Sequence, residues 1–268
     1  MSYSSTRFAS EIRALSLKLV HQAQASHIGS ALSIADLLAV LFSNPKICDI
    51  SSPHDPLRDR IILSKGHACV SLYSALHLKG FFDRDLLFTY GQDFSALMNH
   101  ASHKVPGVEF STGALGHGLP LACGKALAAK MGNLPWQTFA ILSDGELQEG
   151  SNWEAFMFAA HNRLDNLIAC IDNNNLQSLD TVDQTLSLHP LEDKLKAFGW
   201  HVEAVDGHNH SAISKAIGTA RSMLCPSALI FKTVKGKGVS YMENQIAWHY
   251  KSPSSKELAL ALDELGLI

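Results

Sequence analysis

The sequence predicts an α/β fold of three layers, a parallel sheet with helices on both faces. Three observations point there. Between residues 137 and 233, short apolar runs alternate with segments of helical length. The runs are continuously apolar rather than alternating, as strands buried on both faces must be. Polar, glycine-containing loops punctuate the alternation, as expected of connections in a βαβ pattern.

The elements follow in order. Phe8, Ile12, Leu15 and Leu19 recur at helical spacing and predict an amphipathic helix to about Ala25. Ser26 to Ser30 interrupts it, and Ser33 is placed to cap a second helix through Phe42. Arg60 to Ser64 reads as a short strand, ending in Lys65-Gly66-His67 and followed by a helix from Ala68 to Leu78. Gly113 to Gly118 is a glycine-spaced turn leading into an apolar helix from Leu119 to Lys130. The regular part holds strands 137–142, 166–171, 201–205 and 228–233, separated by helices 153–162, 191–198 and 211–223, and a last helix covers 255–265. Right-handed crossovers join parallel strands of this kind, and ligands bind outside their carboxyl ends. Asp144, Asn174, Asp206-Gly207-His208 and Lys235 to Gly238 all fall at those ends. No repeat, low-complexity segment or linker divides the chain, so residues 1–268 are expected to form one domain.

Bulk properties narrow the function classes. The chain has 268 residues, 46% of them hydrophobic and 18% charged, which suits a sizeable buried core. Its net charge of −3 gives no electrostatic reason to expect nucleic acid or an anionic membrane. Met1 to Arg13 carries no apolar leader-like run, and the longest apolar stretch, Ile34 to Phe42, is interrupted by Asp36 and too short to span a bilayer. A soluble, cytoplasmic protein is the expectation. Cys48, Cys69, Cys123, Cys170 and Cys225 are scattered and odd in number, and read as reduced thiols rather than a disulfide frame or zinc site.

Asp144 and Asn174 each follow an apolar run, 30 residues apart. Mg²⁺ prefers octahedral oxygen coordination and takes one or two protein ligands alongside phosphate and water oxygens. Asp144 would supply charge, Asn174 an amide oxygen and Leu176 a backbone carbonyl, while Gly145 leaves room for a diphosphate near the start of a helix at Gly150-Ser151. The same residues also fit a strand-ending turn and a polar loop. On these residues alone both readings stand.

Fourteen histidines need sorting. His21, His54, His77, His161 and His189 lie on predicted helices or in polar loops without glycine company, and read as structural or solvent-exposed. His27, His67, His100, His103, His117 and His249 lie in loops beside glycine, proline or lysine, and are the candidates for chemistry.

Five segments then carry a resemblance. They are Ser26-His27-Ile28-Gly29, Ser64-Lys65-Gly66-His67-Ala68, Pro106 to Glu109 with Ser111 to Gly118, Asp144-Gly145 through Glu149-Gly150, and Asp172-Asn173-Asn174. In this order they resemble the N-terminal, diphosphate-binding half of transketolase, and most closely the stand-alone N-terminal subunit of split transketolases. The resemblance implies a thiamine-diphosphate-binding fold, with Mg²⁺ or Ca²⁺ held by Asp144, Asn174 and the carbonyl of Leu176. It implies that His67, Gly145 and Asn174 serve the cofactor's diphosphate and metal, and that Gly113 and Leu115 line its ring pocket. It gives His27, His100 and His249 catalytic positions facing a sugar or sugar-phosphate substrate. Transfer of a two-carbon ketol unit from a ketose to an aldose is the implied reaction.

Three positions depart from the family pattern. Ser143 replaces the first glycine of the metal motif, Ala101 replaces the proline after His100, and Ala114 stands where many full-length relatives carry proline. His103, three residues on, competes with His100 for the substrate-loop role. The family glutamate that hydrogen-bonds the cofactor's pyrimidine ring has no match here. A complementary pyrimidine-binding C-terminal subunit is therefore expected, in a heterotetramer, with Glu149 near the shared interface or simply stabilising a helix start. Three other readings compete: a deoxyxylulose-phosphate synthase-like enzyme or 2-oxo acid lyase, a non-catalytic cofactor-binding subunit, and a zinc hydrolase. The last is poorly supported, because no ligand pair or cysteine cluster falls on one element.

Overall fold

A computed structural model describes residues 4–50 and 52–267. Residues 1–3 and 268, which end the predicted domain and include the start of the Met1 to Arg13 stretch, lie outside the described residues, as does residue 51. The chain opens with α1 (Ser5–Ala23), capped by Ser4, whose hydroxyl accepts from the Arg7 amide at 3.3 Å. Two further helices follow, α2 (Ile28–Ser33) and α3 (Ala35–Ser43). Next come β1 (Arg60–Leu63), α4 (Cys69–Leu78), α5 (Arg84–Leu87) and α6 (Gly118–Met131). The βα alternation then runs β2 (Thr138–Ser143), α7 (Gly150–His161), β3 (Leu167–Asn173), α8 (Val182–Leu186), α9 (Leu191–Ala197), β4 (His201–Asp206), α10 (His210–Ala220) and β5 (Ser227–Lys232). The last helix is α11 (Ser255–Glu264).

Among the described residues the five strands form one parallel sheet in the order β1-β2-β3-β5-β4. Successive side chains on a strand point to opposite faces, and both faces are covered. Phe139, Ile141, Ile168, Cys170, Leu229 and Phe231 share a core with Ile12, Leu38, Tyr73 and Ile217, from the side of α1, α3, α4 and α10. Ala140, Leu142, Ala169, Ile171, Ala228 and Ile230 share the other core with Leu119, Phe156 and Leu195, from α6, α7 and α9. Double burial is why the strands read as unbroken apolar runs. Small alanines on the second face let α6 lie close to β1, β2 and β3. None of the cysteines is paired, and all but Cys225 are fully buried. No helix among the described residues is long and apolar enough to cross a membrane.

Departures from expectation have local causes. The Ser26 to Ser30 interruption gives way at Ile28 to the buried helix α2, too short to show a periodicity. Ser33 does not cap the following helix. It is the last residue of α2, the cap position of α3 belongs to Ile34, and the Ser33 hydroxyl is turned inward to Asp172 at 2.6 Å. Helix α7 starts at Gly150, as the expected Gly150-Ser151 start has it and three residues before the apolar pattern from Trp153, because extended backbone at Glu149 releases Gly150 into the helix. The short helices α5 and α8 show no apolar period, but each has a capping side chain: Asp83 accepts from Leu86 at 2.9 Å and Thr181 from Gln184 at 3.1 Å.

One ion pair joins the strand ends that support the site. Lys65, just beyond β1, meets Asp172 of β3 at 2.5 Å, and both side chains are 0% exposed. Asp172 also accepts from Ser33 at 2.6 Å, from the amide of Asn174 at 3.2 Å and from the hydroxyl of Thr233, while the Lys65 ammonium donates to the Ser30 carbonyl at 3.1 Å. Burial alone would raise the carboxyl's pKa, but the ammonium and these hydrogen bonds outweigh it and hold Asp172 below its ordinary range.

Removing one partner would leave a buried charge uncompensated. Lys65→Met is expected to cost about 3–5 kcal/mol in denaturant unfolding, and adding Asp172→Asn to recover most of it. A loss below about 1 kcal/mol for the single variant would show that this pair is not what fixes the strand ends.

Candidate active site

The carboxyl ends of β1, β2 and β3 form the floor of a cavity of about 250 Å³. Four separate segments bring imidazoles over it, His27, His67, His100 and His249. His27 sits at the α1–α2 junction with φ of 72°, a conformation unusual for a residue with a Cβ, held by its amide donating to the His249 carbonyl at 2.7 Å. Its ring lies 5.0 Å from that of His249, 5.2 Å from His67 and 5.8 Å from His100. His67 also bonds the Ser30 hydroxyl at 3.2 Å.

These imidazoles are held neutral. Burial, then the neighbouring His100, Lys235 and Lys65, lower the His27 pKa to about 4. Burial, then Lys235, His27 and Lys65, lower that of His249 to about 3. His67 lies well below its ordinary value, chiefly through burial and then Lys65, and burial lowers His100 as well. Lys235 is almost fully buried, with its Nζ 3.0 Å from His249 Nδ1 and donating to the carbonyls of Leu176 and Gln177, each at 3.1 Å. Lysine has no acceptor, so His249 Nδ1 accepts and its proton sits on Nε2.

The acidic side of the cavity is Asp144. Its carboxylate is fixed by three donors: the amide of Gly145 at 2.8 Å, the amide of Asn175 at 2.6 Å and the side chain of Asn173 at 3.3 Å. Burial and then nearby Asp172 push its pKa up to about 6. A carboxylate so placed gains from a cation. Asn174 gives its NH₂ to Asp172, which turns its amide oxygen away, where it accepts from the Leu176 amide at 3.0 Å.

Two glycines open the space for a large anionic ligand. A Cβ on Gly145 would lie 3.0 Å from the Gln177 side chain, and one on Gly113 would lie 3.1 Å from the His100 ring. Beside Gly145, the buried Nε2 of Gln177 has no hydrogen-bond partner. An orphaned donor and a carboxylate with a raised pKa suit a diphosphate accompanied by a hard cation. No group of three His, Cys, Asp or Glu side chains suited to a metal occurs among the described residues, so the fit rests on amide and carbonyl oxygens as well as Asp144.

His27, His67, His100, Gly113, Leu115, Asp144, Gly145, Asn174, Leu176 and His249, all singled out in the sequence, line this one cavity. Glu149 does not. It is exposed at the start of α7, makes no capping hydrogen bond, and packs against Gly116. His103 turns out to the Ser111 hydroxyl at 2.7 Å, which leaves His100 as the imidazole in the cavity. His117 is exposed and bonds the carbonyls of Ala114 and Leu115. A larger cavity of about 580 Å³ lies beyond Asn174, near α8 and α9, and collects none of the four clustered imidazoles.

Sequence reasoning gave no role to Glu146, Asp172, Lys65 or Gln177. Buried Glu146 accepts from Ser64, from Gly116 at 3.0 Å and from Ser143 at 3.2 Å, so it clips the Gly113–Gly118 turn to the metal-motif turn. Burial raises its pKa. The available signal was a charged residue abutting an apolar strand, as in Ile171-Asp172 and Leu63-Ser64-Lys65, since such a charge must find a partner.

Comparison with known proteins agrees with this geometry. Residues 4–267 match the family described as "Transketolase, thiamine diphosphate binding domain". The chain is 41% identical to the 6-deoxy-6-sulfo-D-fructose transketolase subunit SqwG of Clostridium sp. (strain MSTE9), across 96% of this chain and 94% of that protein. It is 40% identical to an apulose-4-phosphate transketolase subunit of Phocaeicola vulgatus, across 93% and 89%. Human transketolase is 36% identical over 94% of this chain but only 40% of its own length. The crystal structure of Campylobacter jejuni transketolase superposes with a TM-score of 0.91 at 30% identity, covering 99% of this chain and 43% of that one. The chain thus spans about two fifths of the solved transketolases it matches and nearly all of the subunit-type relatives. It belongs to the transketolase family, spanning that family's thiamine-diphosphate-binding domain and nearly the full length of the relatives named as transketolase subunits.

Proposed function

We propose that this subunit binds thiamine diphosphate with Mg²⁺ in the four-histidine cavity and transfers a two-carbon ketol unit between sugars, once a second subunit completes the site. The observation that carries this reading is the meeting of Asp144, Asn174 and Leu176 with His27, His67, His100 and His249 in one cavity. The Asp144 carboxylate, the Asn174 amide oxygen and the Leu176 carbonyl would hold the cation, Mg²⁺ or Ca²⁺. His67 and the Gln177 side chain would hold the diphosphate against the Gly145 backbone, and Gly113 and Leu115 would line the ring pocket. Bound there, the cofactor supplies the electron sink for cleaving a ketose C–C bond beside the carbonyl.

The protein's share is positioning and proton movement. Neutral imidazoles both donate and accept, so His27, His100 and His249 can bind sugar hydroxyls and move a proton at the reacting oxygen. A set of imidazoles at 5.0 to 5.8 Å ring spacings suits a polyol better than a 2-oxo acid. The relatives matched nearly end to end are named for a sulfo-sugar and a sugar phosphate. A ketose carrying an anionic group is accordingly the substrate class proposed. The partner is a complementary pyrimidine-binding subunit that supplies the glutamate this chain lacks, in a cytoplasmic heterotetramer. Residues 1–268 act as one domain, with Glu149 near the junction.

The chain alone is expected to be inactive, and an equimolar mixture with its partner to transfer a ketol unit from a ketose phosphate to an aldose phosphate. A mixture that binds the cofactor but yields no ketol product from any ketose donor would overturn the reading. In calorimetry on that complex, Asp144→Ala should weaken thiamine diphosphate binding in the presence of Mg²⁺ by about 100-fold or more; equal affinity for variant and wild type would remove Asp144 from the metal site. The histidines also set a pH dependence. With folded pKa values of about 4 and about 3 against an ordinary 6.5, His27 and His249 take up protons more readily unfolded, so stability falls as pH drops from 6.5 toward 4. Urea midpoints at pH 7 and pH 5 should differ less for His27→Gln than for wild type, and identical differences would count against neutral burial of this imidazole.

A further inference from the structure

The Asp206-Gly207-His208 loop lies at a strand end yet contributes nothing to the cavity lining. Its partner is Asp36, 5% exposed on α3. That carboxylate receives four bonds: from Arg13 Nη1 at 3.1 Å and Nη2 at 2.6 Å, from His208 Nδ1 at 2.7 Å and from His210 Nε2 at 2.9 Å. Burial opposes its charge, but these donors hold its pKa far below the carboxylate range. A carboxylate only accepts, so His208 carries its proton on Nδ1 and its Nε2 is an acceptor. It accepts from the backbone amide of Val234 at 2.8 Å. The Arg13 Nε donates to the carbonyl of Lys237 at 2.8 Å.

Asp36 therefore grips both ends of the Val234 to Lys237 turn through two different side chains. Between those ends stands Lys235, whose ammonium reaches the Leu176 and Gln177 carbonyls and His249. Lysine loses much side-chain freedom when fixed, and a buried ammonium needs all its donors aimed, so the turn that carries it must be placed closely. The tip is pinned too, since the Gly236 amide donates to the Gly29 carbonyl at 3.0 Å.

We propose that Asp36, His208 and Arg13 form a clamp of positioning residues that sets Lys235, and through it His249 and the Leu176 carbonyl, from outside the cavity. The proposal rests on the reading of that cavity as the thiamine diphosphate site. The lever is the His208 Nε2 acceptor.

Two substitutions at His208 separate the clamp from mere packing. In His208→Asn the amide NH₂ falls near the Nδ1 position, keeping a donor to Asp36 and losing the acceptor for Val234. In His208→Gln the amide oxygen reaches the Nε2 position and keeps that acceptor. In the complex with the partner subunit, hydrogen exchange at Val234 should speed up in the Asn variant and stay near wild type in the Gln variant. Affinity for thiamine diphosphate with Mg²⁺, read by calorimetry, should drop about 10-fold for Asn and stay within about threefold for Gln. Equal exchange at Val234 in the two variants, or equal affinities, would overturn the clamp. If wild type itself binds no cofactor, the cavity assignment fails, while the exchange comparison still decides the clamp. Should the Asn variant not fold, wild-type exchange decides: the clamp requires the Val234 amide to be protected like the core amides of α3, and exchange at open-loop rates overturns it.

Discussion

The structure around the site depends on a carboxylate that cannot be left alone. Asp172 is buried at the end of β3, where an unpaired charge would be untenable. Lys65, Ser33, Asn174 and Thr233 satisfy it, and they come from the ends of β1, α2, β3 and β5. Each must reach one pair of oxygens, so their elements are held in fixed relation within hydrogen-bond tolerance. The site inherits that precision. Asn174 is the clearest case: giving its NH₂ to Asp172 turns its amide oxygen the other way, onto the Leu176 amide.

The same charges explain the state of the other groups. Asp172 stands near Asp144 and helps raise its pKa, so the cavity holds a carboxyl that a cation would relieve. Burial first, and then Lys65 and Lys235, keep His27, His67 and His249 uncharged. A carboxyl with a raised pKa and histidines that stay neutral thus arise from one arrangement. Neither property belongs to any single residue.

Much of this was legible in the sequence, for reasons that differ by level. The strands were visible because both faces are buried, which leaves runs such as Phe139-Ala140-Ile141-Leu142 with no polar interruption. The cavity's outer ring was visible because glycine-flanked histidines and strand-end acids carry a local signature. What lay hidden were residues whose meaning is relational. Ser33 has the composition of a helix cap, yet its hydroxyl serves a carboxylate 139 residues away. His100 and His103 are nearly equivalent by position, and only the fold turns one inward and pairs the other with Ser111. Every residue of the six-residue α2 is buried, its two serines included, so no period announces it.

Three buried carboxylates share one design. Asp172 gathers strand ends, Glu146 gathers Ser64, Ser143 and Gly116, and Asp36 gathers Arg13, His208 and His210. A carboxylate offers about four acceptor positions in a compact plane, so it can collect donors from several loops at once. Desolvation makes each one costly unless nearly every position is filled, and a half-filled one would be worse than an apolar residue. That penalty is also what makes them exact holders of loops: a loop that drifts by an ångström exposes a buried charge. An apolar core tolerates sliding, whereas these anchors do not. Loops bearing Gly113, Gly145, Lys235 and His249 can therefore be polar, glycine-containing and close to solvent, and still present their groups to one ligand.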